Sequence, residues 1–75
     1  MSDLSIHAEL ARTTEVARTL LGLRLDAAVA RGTSAGCSVR LVREDDTDHI
    51  CTADLNPRRI DLEVERGVVT RTVAG

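Results

Sequence analysis

The residues whose types could support chemistry fall between Cys37 and Arg59. His49 and Cys51 stand two apart, a spacing that puts an imidazole and a thiol on the same side of an extended chain. A nucleophile and base of that kind need a third group to orient the imidazole, and the sequence offers none, so no catalytic residue is expected. His49 reads instead as a loop residue and Cys51 as a small buried or half-buried side chain. Asp45, Asp46 and Asp48 could attract a cation, but the run EDDTDH has neither the glycine nor the terminal glutamate of a calcium loop and reads as solvated. Cys37 and Cys51 form no tight ligand cluster with His7 and His49, so neither a metal nor a cofactor is expected. The two cysteines read as buried thiols in preference to one disulfide, though their spacing leaves both open.

What remains is CTADLNPRRIDLEVERGVVTRTVAG, residues 51–75. Thr52, Asp54 and Asn56 carry side chains that bond readily to nearby backbone. Pro57 drives Asn56 toward an extended conformation and has no N–H to donate, so this stretch does not suit a central strand. Arg58 and Arg59 are long enough to fold back toward Asp54 or the acidic run, with Arg58 the more ordinary surface residue. The whole connection, residues 45–58, is long for so small a domain, and connections of that length are commonly functional.

The flanking segments must position this connection. Residues 3–21 carry Leu4, Ile6, Leu10, Val16, Leu20 and Leu21 at imperfect helical spacing, and Thr13-Thr14 is expected to divide them into a loose first part and a short turn. His7 there reads as surface or helix packing. LRLDAAVARG predicts a compact helix from about Leu25 to Arg31, burying Leu25, Ala28 and Val29, with Gly32 as its C-terminal cap. CSVRLVR predicts a strand with Val39 and Leu41 on one face. Ile60, Leu62 and Val64 alternate with Asp61, Glu63 and Glu65 as a half-buried strand, and Arg66-Gly67 turns the chain into VVTRTV as a hairpin. These elements make a single small α+β domain, one short helix on a small sheet.

Composition narrows the function classes. A chain of 75 residues has room for one core, and with no Phe, Tyr or Trp that core comes from Leu, Val, Ile and Ala. Each of the larger side chains stabilises by roughly 1.5–3 kcal/mol when fully buried, so the domain is expected to be modestly stable or supported by a partner. A formal charge of −2 and the absence of aromatics argue against nucleic acid. No apolar run approaches the ~20 residues of a membrane span. The start MSDLSIHAEL lacks the basic and apolar regions of a signal peptide, so the chain reads as cytoplasmic, or as secreted where an export signal has been removed.

The order LLGLRLDAAVARG, then SVRLVR, then TADLNPRRIDLEV followed by GVVTRTVAG resembles the potato inhibitor I type of serine peptidase inhibitor, in particular its small bacterial and fungal relatives. The resemblance covers residues 20–75 and leaves 1–19 as an N-terminal extension, partly helical or mobile. It implies a helix on a small mixed sheet, with a wide exposed loop between parallel strands that enters a peptidase active site as a slowly cleaved substrate. It implies that Thr52, Ala53, Asp54 and Leu55 form the reactive-site loop, with Ala53 filling the primary pocket and Asp54 following the scissile bond. Arg59 matches an arginine that supports the loop from beneath. Asp61 and Asn56 stand where many members carry further arginines, and the arm before Thr52 is acidic and about two residues longer. Ala53 suits the small primary pocket of an elastase- or subtilisin-like enzyme. The partner is then a serine peptidase. The alternative is a non-inhibitory interaction module on the same scaffold, binding another protein or forming a homo-oligomer.

Overall fold

The computed structural model describes residues 3–49, 51–52 and 54–75; Ala53, the expected pocket residue of the loop, lies outside the described residues. Two helices, α1 (Asp3–Leu20) and α2 (Leu25–Ser34), pack against a four-stranded mixed sheet. Its strands are β1 (Ser38–Glu44), β2 (Thr47–Asp48), β3 (Arg59–Glu65) and β4 (Val68–Ala74), in the spatial order β2-β1-β3-β4. The fold is α+β, and β1 and β3 are parallel, with the long connection running between them.

The N-terminal segment differs from its expectation. Thr13 and Thr14 do not break α1, because each hydroxyl finds an acceptor, that of Thr14 turning back to donate to the Leu10 carbonyl at 2.8 Å and that of Thr13 donating to the Pro57 carbonyl. A side chain that satisfies itself on the preceding turn no longer competes for the backbone bonds that hold the helix. Thr13, Ala17 and Leu20, four and three residues apart, are buried, and Ala17 and Leu20 belong to the central apolar cluster. The supposed extension is thus a second, longer helix that builds part of the core, and the fold holds two helices where one was expected.

Helix α2 runs three residues past its expected end. Gly32 is an interior position, and a Cβ there would lie 2.6 Å from Val39 Cγ2. The missing side chain is what lets the helix backbone approach β1, and the chain turns instead at Gly36, whose φ is 83°. Ala28 is buried as expected, whereas Val29 faces outward.

Ile60, Leu62 and Val64 point from β3 into the core and are at most 1% exposed, which bears out the alternation read from the sequence. Arg66 and Gly67 both adopt positive φ and close the β3–β4 hairpin as expected. The acidic run is exposed, but it is itself a tight hairpin: Asp45 and Asp46 turn β1 into the short β2, with Glu44 opposite Thr47. Asp45 takes φ 53°, and its Oδ1 accepts a 2.9 Å hydrogen bond from the Arg66 amide, so the two turns are tied together.

Two irregularities in the ladder decide which side chains share the outer face. β1 carries an extra residue, Val42, between the pairs Leu41–Leu62 and Arg43–Glu63; β4 carries an extra residue, Thr70, between Val69–Val64 and Arg71–Glu63. One inserted residue reverses the parity of everything beyond it. Val69 is therefore buried while Arg71 and Val73 turn outward, and Val73 lies opposite Asp61.

Candidate functional site

The connection returns to the sheet through a turn at residues 56–59. Asn56 Oδ1 accepts from the Arg58 amide at 3.0 Å, and the Asn56 carbonyl accepts from the Arg59 amide at 3.1 Å. Pro57, lacking an amide proton, sits where none is needed and offers its carbonyl to α1. The Thr13 hydroxyl lies 2.5 Å from that oxygen and 3.0 Å from the Glu9 carbonyl; with one proton to give, it donates to Pro57. Glu9 also pairs with Arg58 at 3.1 Å. Arg58 is on the surface as expected, but it contributes a second tie between this foot of the loop and α1.

Beyond the turn, parallel pairing places Ser38 beside Arg59 and Arg40 beside Asp61. Arg59 and Asp61, two apart on β3, share the face opposite the core. Arg59 is only 7% exposed. Its Nη2 donates to the Asp54 carbonyl at 2.6 Å and its Nη1 to Asp54 Oδ1 at 3.3 Å. Nε and Nη2 of the same guanidinium reach the Gly75 oxygen at 3.3 and 3.2 Å. The expected support of the loop by Arg59 therefore has a definite geometry, a planar fork held between the chain at Asp54 and the end of β4.

A second arginine, missed in the sequence, joins it. Arg40 grips Asp61 along one edge of its guanidinium, Nε to Oδ1 at 2.9 Å and Nη2 to Oδ2 at 3.0 Å. Its remaining nitrogen, Nη1, donates to the Thr52 carbonyl at 3.2 Å and to Thr52 Oγ1 at 3.3 Å. The Thr52 hydroxyl in turn donates to Asp54 Oδ1, which also receives Arg59. A continuous chain of donors and acceptors thus links Asp61, Arg40, Thr52, Asp54 and Arg59. Nothing in local spacing marks Arg40; only its position opposite Asp61 in a parallel pair would have found it.

The electrostatics follow from these bonds. The Asp54 carboxyl is held below its ordinary range, first by the Thr52 hydroxyl, then by backbone N–H and the Arg59 guanidinium. Arg40 is raised above its ordinary value, chiefly by its hydrogen bond to Asp61. Each of the four charged groups in the cluster lies against one of opposite sign.

The surface around the cluster is partly apolar. Leu55 is 65% exposed and Val73 45%, and both border a shallow depression floored by Arg40, Arg59 and Asp61. Thr52 and Asp54 are exposed at its rim. Of the expected loop residues, the structure thus brings Thr52, Asp54 and Leu55 together above Arg59.

The other candidates do not converge. His7 and His49 are exposed, and Cys37 and Cys51 are free, half-buried thiols. Among the described residues no hydrogen bond joins His49 to Cys51, and no three acidic, histidine or cysteine side chains are placed to hold a metal ion. No helix among the described residues is long and apolar enough to cross a membrane. No protein-family model, curated protein or solved structure matches the chain.

Proposed function

We propose that the chain is a serine peptidase inhibitor that presents residues 52–55 as a substrate-like segment, with Ala53 filling a small primary pocket of the elastase or subtilisin kind. The observation that carries this reading is the bracing of Thr52 and Asp54, the residues on either side of Ala53, by Arg40 and Arg59. A strand-like segment held in advance adds main-chain hydrogen bonds to an enzyme cleft with little further ordering cost. After a cut between Ala53 and Asp54, the same bonds would keep both new ends in place and favour religation. Ala53 suits a pocket that excludes rings and cations, and Leu55 is available on the leaving-group side.

The second reading, an interaction module without inhibitory action, draws on Leu21 and Val29, exposed on the helical layer. Val29 lines a shallow apolar depression with Leu25 and Gly67, at the far end of the sheet from the loop. The deciding experiment is inhibition of a panel of small-pocket serine peptidases by the folded protein, followed by mass analysis for slow cleavage of the Ala53–Asp54 bond. Inhibition with cleavage confined to that bond supports the first reading. Rapid digestion, or no inhibition of any panel member, overturns it.

A further inference from the structure

The geometry points to Arg40 as a positioning residue of the loop, aimed by Asp61 and clamping Thr52 from the strand that precedes the connection. This role rests on the reading of residues 51–56 as a presented segment, and it goes beyond the single support at Arg59 that the sequence indicated.

Arg40 belongs to β1 and Thr52 lies on the far side of the β1–β2 hairpin and the acidic run, twelve residues later. An arginine with a free side chain would have many ways to point, and about 2 kcal/mol of rotamer entropy opposes any one of them. Asp61 removes that freedom. Two parallel N–H···O bonds at 2.9 and 3.0 Å fix the guanidinium plane, and the carboxylate is well shielded on the sheet face. With the Nε–Nη2 edge of the guanidinium occupied, Nη1 is left facing the Thr52 carbonyl and hydroxyl. Asp61 also lies 3.6 Å from Arg59 Nε, so one carboxylate holds apart two like charges that would otherwise repel across the loop base.

Each arginine then serves one side of Ala53, Arg40 through Thr52 and Arg59 through Asp54. The Thr52–Asp54 hydrogen bond closes the bracket above them. An aspartate at position 61 is thus a working part of the site. Parallel pairing of β1 and β3 sets this aspartate beside Arg40.

The test is native-state cleavage by thermolysin, a metallopeptidase outside the proposed target class, which cuts before leucine and isoleucine and so reports on opening around Leu55. Arg40→Met keeps the aliphatic stem, and Asp61→Asn keeps the volume while releasing the guanidinium. Both variants are expected to be cut within residues 49–56 about ten-fold faster than the parent, the effect of losing bonds to one charged group. Cleavage elsewhere should keep the parent rate, with melting monitored in parallel. Parent-like cutting of the loop in either folded variant overturns the inference, as does faster cutting spread over the whole chain. Should Arg40→Met fail to fold, Asp61→Asn alone decides. If the loop opens in the variants while the parent inhibits no serine peptidase, the inhibitor reading falls and the role of Arg40 stands. If the parent inhibits and the loop is unaffected, the reverse holds.

Discussion

Replacing Arg59 by methionine removes the guanidinium and keeps the aliphatic stem, so the change isolates the hydrogen bonds from the packing. The parent side chain is 7% exposed and bonds to the Asp54 carbonyl, to Asp54 Oδ1 and to the Gly75 oxygen. The groups left behind are not equally stranded. Asp54 lies at the surface and can rehydrate, and Asp61 keeps both of its bonds to Arg40. The loss is therefore the net value of the bonds to a charged donor, about 1.5–3 kcal/mol, without the further penalty of a buried unpaired carboxylate. In a domain of this size that corresponds to a fall in melting temperature of roughly 6–20 °C. Urea unfolding supplies the free energy, and inhibition of whichever peptidase the parent binds supplies the functional effect, expected as a weakening of about ten-fold or more. Stability and inhibition both within about 0.5 kcal/mol of the parent would refute the reasoning, because a fork that donates to both Asp54 and Gly75 would then be contributing nothing.

Three further outcomes are expected. Asp54 has a folded-state pKa below its ordinary value of 3.8, so its contribution is fully present above about pH 5 and is lost as the pH falls through the depressed value. Thermolysin-independent probes of loop order, such as amide signals of Thr52 and Leu55, should hold steady from pH 7 to 5 and change only below about 4; a midpoint near 6 would point to a different group. Gly32→Ala improves helix propensity by about 1 kcal/mol yet sets a methyl 2.6 Å from Val39 Cγ2, and calorimetry should show a net loss of about 1 kcal/mol. Thr13→Val removes the hydroxyl bonded to Pro57 at constant shape and should lower stability by about 1 kcal/mol while speeding amide exchange at Arg58 and Arg59.

The parts of the fold legible in the sequence are those in which one residue type dictates its own surroundings. Ile60, Leu62 and Val64 alternate without interruption, and Arg66-Gly67 supplies the left-handed turn that a short hairpin needs. The parts that were not legible depend on partners distant in the chain. Thr13-Thr14 looks like a helix break, and becomes acceptable because the Thr14 hydroxyl bonds back to α1 and the Thr13 hydroxyl donates to Pro57, 44 residues away. Gly32 looks like a cap, and its interior place is explained only by Val39. The same division runs through the site. Thr52, Asp54 and Arg59 were found because they lie within one short run, whereas Arg40 acquires its role from strand pairing with Asp61. The inward-outward pattern of β4 was likewise obscured by one unpaired residue, Thr70.

The anchoring of the loop foot on α1 has a practical corollary. A linear or cyclised peptide copied from residues 51–59 would carry Thr52, Asp54 and Arg59 but would leave behind Thr13, Glu9, Arg40 and Asp61, which grip the parent segment from three separate elements. Such a mimic would have to regain its shape by chemical stapling. In this molecule the contour of the segment belongs to the entire chain and is not portable with its own nine residues.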